Sequence, residues 1–324
     1  MVMQLHGIHH VTAVTGDAQG NLDFYTRVLG MRLVKKTVNQ DDTSAYHLFY
    51  ADKVGSPGTD MTFFDWPQTA PNRRGTDSIA RTLFRVNGRE ALEYWVERLK
   101  ANGVTHEGIS EFAGRATLRF EDHEGQRLAL VDDGGADFHG EIWDGPDIPE
   151  AHAIRGFYGI VLSVPSLEQV GVILTQILYF EEVQRLPNPD NPDEEIVIFA
   201  MDGGGPGNEV HVIVQPDVRQ AGLGRGGVHH VAFRLNDEQE QEAWQEWLAR
   251  VGLSTSGQVD RFYFKSLYFR ISRGILFELA TDGPGFATDE SLETLGKSLA
   301  LPPFLEPHRA QIEANLRPLA LVGP

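Results

Sequence analysis

Gly7-Ile-His-His-Val-Thr-Ala-Val14 returns near the far end of the chain as Gly227-Val-His-His-Val-Ala-Phe-Arg-Leu235. Both are short apolar runs of strand character, and both carry a doubled histidine. The first leads into Asn21-Leu-Asp-Phe-Tyr-Thr-Arg-Val-Leu-Gly30, the second through Asp237-Glu-Gln-Glu240 into a segment ending at Gly252. Two weaker copies lie between them. Ile79-Ala-Arg-Thr-Leu-Phe-Arg-Val86 runs on to Glu90-Ala-Leu-Glu-Tyr-Trp-Val-Glu-Arg-Leu99 and Gly103, and Phe157-Tyr-Gly-Ile-Val-Leu-Ser-Val164 runs through Ser166-Leu-Glu-Gln169 to Leu178.

Spacing makes the second part of each copy a helix. In the fourth copy Trp244, Trp247, Leu248 and Val251 fall at i, i+3, i+4 and i+7, one helix face. Asp237 with Glu240 and Ser166 with Gln169 have capping-box spacing, and Gly30, Gly103 and Gly252 stand where a left-handed cap glycine belongs. Strand-like runs follow each helix, among them Tyr46–Tyr50, Met61–Phe64, Leu267–Ile271 and Ile275–Leu279. The reading is an α+β fold of four βαβββ modules, repeated at roughly 70–80 residues, longer than solenoid periods. Curved modules of this kind pair into two half-open barrels. Residues 1–140 form an N-terminal half (modules 1 and 2) and residues 153–282 a C-terminal half (modules 3 and 4). The Gly-, Asp- and Pro-rich stretch Asp132–Ala153 connects them. Residues 283–324 form a tail outside the repeat, with a short helix from Pro307 to Leu316.

The chain has 324 residues, and 28 basic against 46 acidic side chains give a net charge of −18. Such a surface repels phosphate backbones and anionic lipid, so neither nucleic acid nor a membrane is the expected partner. There is no cysteine, so any metal must sit on His, Asp, Glu or Tyr, a donor set suited to iron, manganese or zinc. The start has no long apolar run or basic flank, and a cytoplasmic location is expected.

The differences between the copies locate the chemistry. Directly before the Val-Thr or Val-Ala pair stands His10 in the first copy and His230 in the fourth, while the second has Arg81 and the third Gly159 at the corresponding place. Glu278 interrupts the apolar run Gly274-Ile-Leu-Phe-Glu-Leu-Ala280, sharing a strand face with Leu276 and Ala280. A carboxylate there is costly unless paired or metal-bound. Two histidines and one carboxylate make the facial triad of non-haem Fe(II) oxygenases. Modules 1 and 4 are therefore expected to pair around the metal, and modules 2 and 3 to form a metal-free counterpart. The plainer reading has two hydrogen-bonded core histidines and a Glu278 paired with Arg270 or Arg273.

Ile8-His-His-Val11, Asp23-Phe-Tyr with Leu29-Gly30, Tyr46-His-Leu-Phe-Tyr-Ala-Asp52, Pro57-Gly-Thr59, Gly227-Val-His-His-Val231 and Phe277-Glu278 together resemble the glyoxalase/bleomycin-resistance/extradiol-dioxygenase superfamily, the vicinal oxygen chelate fold. Within it the chain resembles the hydroquinone-type ring-cleaving dioxygenases, over essentially its whole length. The resemblance implies that the second histidine of each pair is the ligand, giving His10, His230 and Glu278 on Fe(II), with Mn(II) as the alternative. It implies an aromatic diol and O2 as substrates and is compatible with a homodimer. It places His9, His229 and Tyr268 as catalytic candidates and Arg261 in substrate binding. Strict alternation would point His9 and His229 away from the metal, where a purely structural role serves equally. Tyr268 reads equally as a core tyrosine, and Arg261 as a strand-end arginine. Phe64, Trp66 and Phe262 are candidate pocket walls.

Two other readings use the same scaffold. A glyoxalase-type isomerase or thiol transferase would bring a further carboxylate ligand from the first module's last strand, where Asp60 and Asp65 flank an uncharged Met61-Thr-Phe-Phe64. A metal-free protein that sequesters an aromatic or quinone would need no triad.

Overall fold

The four repeats fold as the alternation of apolar positions dictates. A computed structural model describes residues 3–145 and 147–321; residues 1–2 and 322–324, the outer ends of the first segment and the tail, and Pro146 in the connecting stretch lie outside the described residues. Module 1 contributes β1 (Ile8–Thr15), β2 (Arg32–Asn39), β3 (Asp42–Ala51) and β4 (Asp60–Asp65). Module 2 contributes β5 (Ser78–Val86), β6 (His106–Phe112), β7 (Arg115–Glu121) and β8 (Arg127–Asp132). Module 3 has β9 (Phe157–Val164), β10 (Glu181–Asn188), β11 (Asn191–Ala200) and β12 (Glu209–Val214), and module 4 has β13 (Gly227–Leu235), β14 (Thr255–Asp260), β15 (Lys265–Arg270) and β16 (Leu276–Thr281).

The strands form two curled sheets of eight, in the orders β14-β15-β16-β13-β1-β4-β3-β2 and β10-β11-β12-β9-β5-β8-β7-β6. This is the vicinal oxygen chelate arrangement. The first and last modules close one half-barrel through the antiparallel pair β1–β13, and the middle two close the other through β5–β9.

Each module's first and second strands are joined by a helix: α1 (Ala18–Asp23), extended by a π-helical turn to Val28; α2 (Gly88–Ala101); α3 (Glu168–Val172), likewise extended to Ile177; and α4 (Glu238–Arg250). Their apolar stripes, such as Leu92, Trp95 and Leu99 on α2 and Trp244 and Leu248 on α4, enter one large core with the outward-facing strand residues. Gly30, Gly103 and Gly252 all have positive φ and end these segments as expected. The Asp237 carboxylate accepts from the Glu240 amide. The Ser166–Gln169 capping box does not form. Helix α3 starts one residue later with Leu167 at its N-cap, and the Gln169 amide donates instead to the Ile271 carbonyl.

Residues facing the barrel interiors form separate clusters: Val34, Phe49, Ala232, Phe264, Ala280 and Phe286 in the first, and Leu83, Phe112, Ala129, Tyr158, Val161 and Ile198 in the second. The tail's Phe286 and Leu295 reach into the first barrel, and Lys35, fully buried on β2, holds that tail by donating to the Phe286 carbonyl and to Asp289 and Glu290. The short helix α5 (Arg309–Asn315) then packs Ile312 against Leu301, Leu305 and Val38. No described helix is long and apolar enough to cross a membrane.

The chain passes between the barrels twice, and the two passages run against each other. Asn72 donates to the Arg225 carbonyl, Arg73 and Gly222 exchange main-chain hydrogen bonds, and Ala221 donates to Thr76. At this crossing a Cβ on Gly75 would lie 2.2 Å from the Arg219 carbonyl oxygen and 2.7 Å from the Ala221 nitrogen. Backbone on the far side cannot give way as a side chain would. Gly75→Ala should therefore lower stability by about 2 kcal/mol or more, an overpacking cost, read as a shift of the urea midpoint. A wild-type midpoint would show that the two passages can spread.

Candidate metal centre and its pocket

His10 lies on β1, His230 on the adjacent β13 and Glu278 on β16, three strands side by side in the first sheet. Their ligand atoms all lie within 4.8 Å of one another, and among the described residues this is the one such cluster of three or more His, Asp and Glu side chains. The Glu278 Oε2 is 3.2 Å from His10 Nε2 and 3.0 Å from His230 Nε2, and the two Nε2 atoms are 3.3 Å apart. Neither Arg270 nor Arg273 pairs with Glu278; its ion-pair partners are these two imidazoles.

Alternation alone would turn His9 and His229 away, and here the structure departs from the expectation. Ile8 pairs with Phe233 and His10 with Ala232, which leaves His9 as an extra residue on β1. Thr12 pairs with His230 and Ala13 with Val228, which leaves His229 extra on β13. Two β-bulges thus swing both side chains toward their neighbours, the re-aiming for which bulges are known. His9 Nδ1 comes within 2.9 Å of His10 Nδ1, and His229 Nδ1 within 2.7 Å of His230 Nδ1. If each ligand histidine donates its Nδ1–H to its bulged neighbour, its Nε2 lone pair is turned to the centre. Three electron-rich atoms then converge with no N–H between them, an arrangement that a divalent cation resolves. Both oxygens of Glu278 are buried without a well-aligned hydrogen bond. The site thus fits a metal of N/O preference.

Burial disfavours charge throughout this floor. The Glu278 carboxylate still ionises well below the usual range, because the facing His10 and His230 outweigh its desolvation. Burial, then the neighbouring His10, pushes the His9 imidazole far down; His230 is lowered chiefly by burial, with Glu278 opposing. His229 falls to about 3, from burial and the adjacent His230.

Above the triad opens a pocket with aromatic walls. Tyr268 pairs with Glu278 across β15–β16 and sets its ring 5.6 Å from that of His230. Burial and the Glu278 charge raise its hydroxyl pKa, so it stays protonated at neutral pH. Arg261 lies beside it, its guanidinium 5.6 Å from the Tyr268 ring centre and 2.9 Å from Asp41. Phe64 is a wall residue, as its sequence position suggests; Trp66 stacks behind it, and Phe262, with φ of 71°, packs into the barrel cluster instead. His9 and His229 lie behind the ligands and do not line the pocket.

Sequence reasoning missed His47, Phe49, Tyr263 and Phe264 as lining residues. The signal for His47 was present: a histidine inside an aromatic strand, on the same face as Phe49. Asp60, in register with His10 across β1–β4, is buried and its carboxyl is pushed well up by that burial, but it stands outside the three-donor cluster.

Comparison with known proteins gives the same picture. Residues 7–130 match the family model of the glyoxalase/bleomycin resistance protein/dioxygenase superfamily. The Bacillus subtilis protein named "Putative ring-cleaving dioxygenase MhqA" is 50% identical over 98% of this chain and 100% of its own length. The chlorohydroquinone/hydroquinone 1,2-dioxygenase of Sphingobium indicum is 32% identical over 94% of this chain and 93% of its own. A crystal structure described as a putative dioxygenase from Bacillus subtilis superposes with a TM-score of 0.90 at 36% identity, covering both chains fully.

The buried imidazoles set how the metal-free protein responds to acid. His9, His47, His229 and His230 all titrate below 6.5 when folded, while the unfolded chain takes up protons near 6.5. Below that pH the unfolded state binds more protons, so stability falls with pH, by up to about 1.4 kcal/mol per unit for each such group. Between pH 7.5 and 5.5 chelator-treated protein should lose unfolding free energy through these imidazoles, a loss partly offset by the buried Asp60 and Asp65 carboxyls, whose raised pKa values let the folded state take up protons in the same window. Urea titrations at the two pH values measure it, and stability that rises on acidification would mean that proton uptake by the folded protein outweighs the imidazoles.

Proposed function

Because the chain belongs to the glyoxalase/bleomycin resistance/dioxygenase superfamily, we propose that it is an Fe(II)-dependent ring-cleaving dioxygenase that opens a hydroquinone-type aromatic diol with O2. The observation that carries the proposal is the convergence of His10 Nε2, His230 Nε2 and Glu278 Oε2 within 4.8 Å at the floor of an aromatic-walled pocket. The full-length similarity to a hydroquinone dioxygenase supports it.

Iron(II) on three protein ligands would keep open positions and supply the redox chemistry that joins an aromatic diol to O2. The protein's own groups do the rest. His9 and His229 take the Nδ1–H of His10 and His230, which fixes the tautomer and ring orientation of each ligand. Tyr268, protonated and directly across from Glu278, donates a hydrogen bond or a proton to a substrate oxygen at the floor. Arg261, in the pocket lining, places a permanent positive charge beside Tyr268 and favours an ionised ring oxygen. Phe49, Phe64 and Phe264 exclude water and give a flat ring its stacking surfaces. An isomerase of the glyoxalase type would want a further carboxylate at the centre, and neither Asp60 nor Asp65 joins the cluster. Manganese(II) satisfies the same donors, so the choice of metal is part of the test.

Protein loaded anaerobically with Fe(II) should consume one O2 per hydroquinone opened, and Zn(II)-loaded protein should be inert toward diphenols, because zinc has no redox chemistry. His10→Ala, His230→Ala and Glu278→Ala should each remove most bound metal and abolish turnover while the fold survives. Oxygen-electrode traces with metal analysis of the purified variants decide it. Turnover of a glutathione hemithioacetal without oxygen consumption would replace the dioxygenase by an isomerase, and full metal content in any one variant would remove that residue from the ligand set.

A further inference from the structure

We propose that His47 receives the second hydroxyl of the substrate, the one remote from the triad, and thereby selects diols whose two oxygens stand at opposite ends of the ring. The inference rests on the dioxygenase reading of the pocket and deepens it. His47 lies on β3 with its ring held between Phe49, 4.0 Å away, and Phe64, 4.5 Å away. Its Nε2 is 3.0 Å from Thr62 Oγ1, which is in turn 2.8 Å from Thr12 Oγ1. The two threonines sit opposite each other in the β1–β4 register, so the chain of polar atoms is anchored on adjacent strands. The ring is therefore fixed in both plane and rotation.

Two features turn this fixed ring into a recognition element. In the tautomer whose Nε2–H donates to Thr62, with Thr62 donating on to Thr12, Nδ1 is left as an acceptor, and among the described residues Nδ1 has no hydrogen-bond partner. Burial lowers the imidazole pKa well below 6.5, which suits a neutral acceptor at physiological pH. Second, His47 stands across Phe64 from the triad: the Phe64 ring is 6.4 Å from that of His230 and 4.5 Å from that of His47. A flat ring lying along Phe64 with one oxygen at the triad directs its far end toward His47. Phenol hydroxyls are good donors, and Nδ1 offers this far end its acceptor. A diol with both oxygens on adjacent carbons places them together at the triad and leaves Nδ1 unmatched.

The test uses the atom positions of two amides. The Asn Oδ1 is as many bonds from Cα as the His Nδ1, and the Gln Oε1 or Nε2 as many as the His Nε2. Anaerobic titrations of Fe(II)-loaded protein with hydroquinone, phenol and catechol give Kd without turnover. Wild-type protein should bind hydroquinone about five- to tenfold more tightly than phenol, the worth of one neutral hydrogen bond. His47→Phe, which keeps the stack, should erase that difference with the phenol Kd unchanged. His47→Asn should restore most of it, and His47→Gln, which keeps only the Thr62 link, should not. Equal Kd values for hydroquinone and phenol in wild-type protein, equal weakening of both in His47→Phe, or rescue by Gln rather than Asn would each overturn the proposal. Oxygen uptake separates the two levels. Hydroquinone cleavage with an unchanged para preference in the variants removes His47 alone, whereas loss of that preference in a protein that never consumes O2 removes the dioxygenase reading and keeps the recognition role.

Discussion

A carboxylate with no accessible surface has to be neutralised from within the protein, and at Glu278 the groups at hand are two imidazoles. The two imidazoles begin this neutralisation, and a cation held between the three donors would complete it. The surrounding architecture meets that requirement. Strands β1, β13 and β16 are neighbours, with the first and last modules in one sheet. For His10 and His230 to present Nε2 to a cation, each Nδ1 needs an acceptor behind it, and the two bulges place His9 and His229 there.

The second half-barrel shows the same scaffold without the requirement. Its central strand pair has matching register shifts, between Ile79 and Arg81 on β5 and between Gly159 and Phe157 on β9, so Tyr158 is the bulged counterpart of His9. By register, Gly159 takes the place of His10 and Ala129 that of Glu278, while Arg81 replaces His230 and donates to the Leu128 carbonyl. The interior closes over with Leu83, Phe112, Val161 and Ile198. The bulge is therefore a property of the paired-module fold, and whether a metal can be held depends on what the bulged and flanking positions carry. Tyr158 spends its hydroxyl on Glu209, which also meets His211 at 2.8 Å.

The architecture was legible because it repeats: a doubled histidine near both ends of the repeat and glycines after three of the four helices mark the modules directly. The triad was legible for a related reason, since His10 and His230 stand out against Arg81 and Gly159, and Glu278 against its apolar strand. The orientation of His9 and His229 was not legible. A bulge is a property of two strands in register, and β1 and β13 come from opposite ends of the chain, so local alternation could not show that both rings turn to meet His10 and His230 from behind. For His47 the signal was a lone histidine in an aromatic strand, but its place beside Phe64 follows from the β3–β4 register, which no local pattern in the sequence reveals. The Ser166–Gln169 box failed because tertiary contact claimed Gln169 for Ile271 on another module.

The pairing of outermost modules also has a consequence in time. As the chain leaves the ribosome from its N-terminus, modules 2 and 3 have each other and can close their sheet early. Module 1, made first, has strand β1 with no β13 to receive it until nearly the whole sequence has been made. The edge of β1 and the imidazoles of His9 and His10 thus wait through most of synthesis, and Glu278 arrives last. A metal held by His10, His230 and Glu278 together could be captured only once the chain through Glu278 has been made, so metal uptake would report closure of the first sheet.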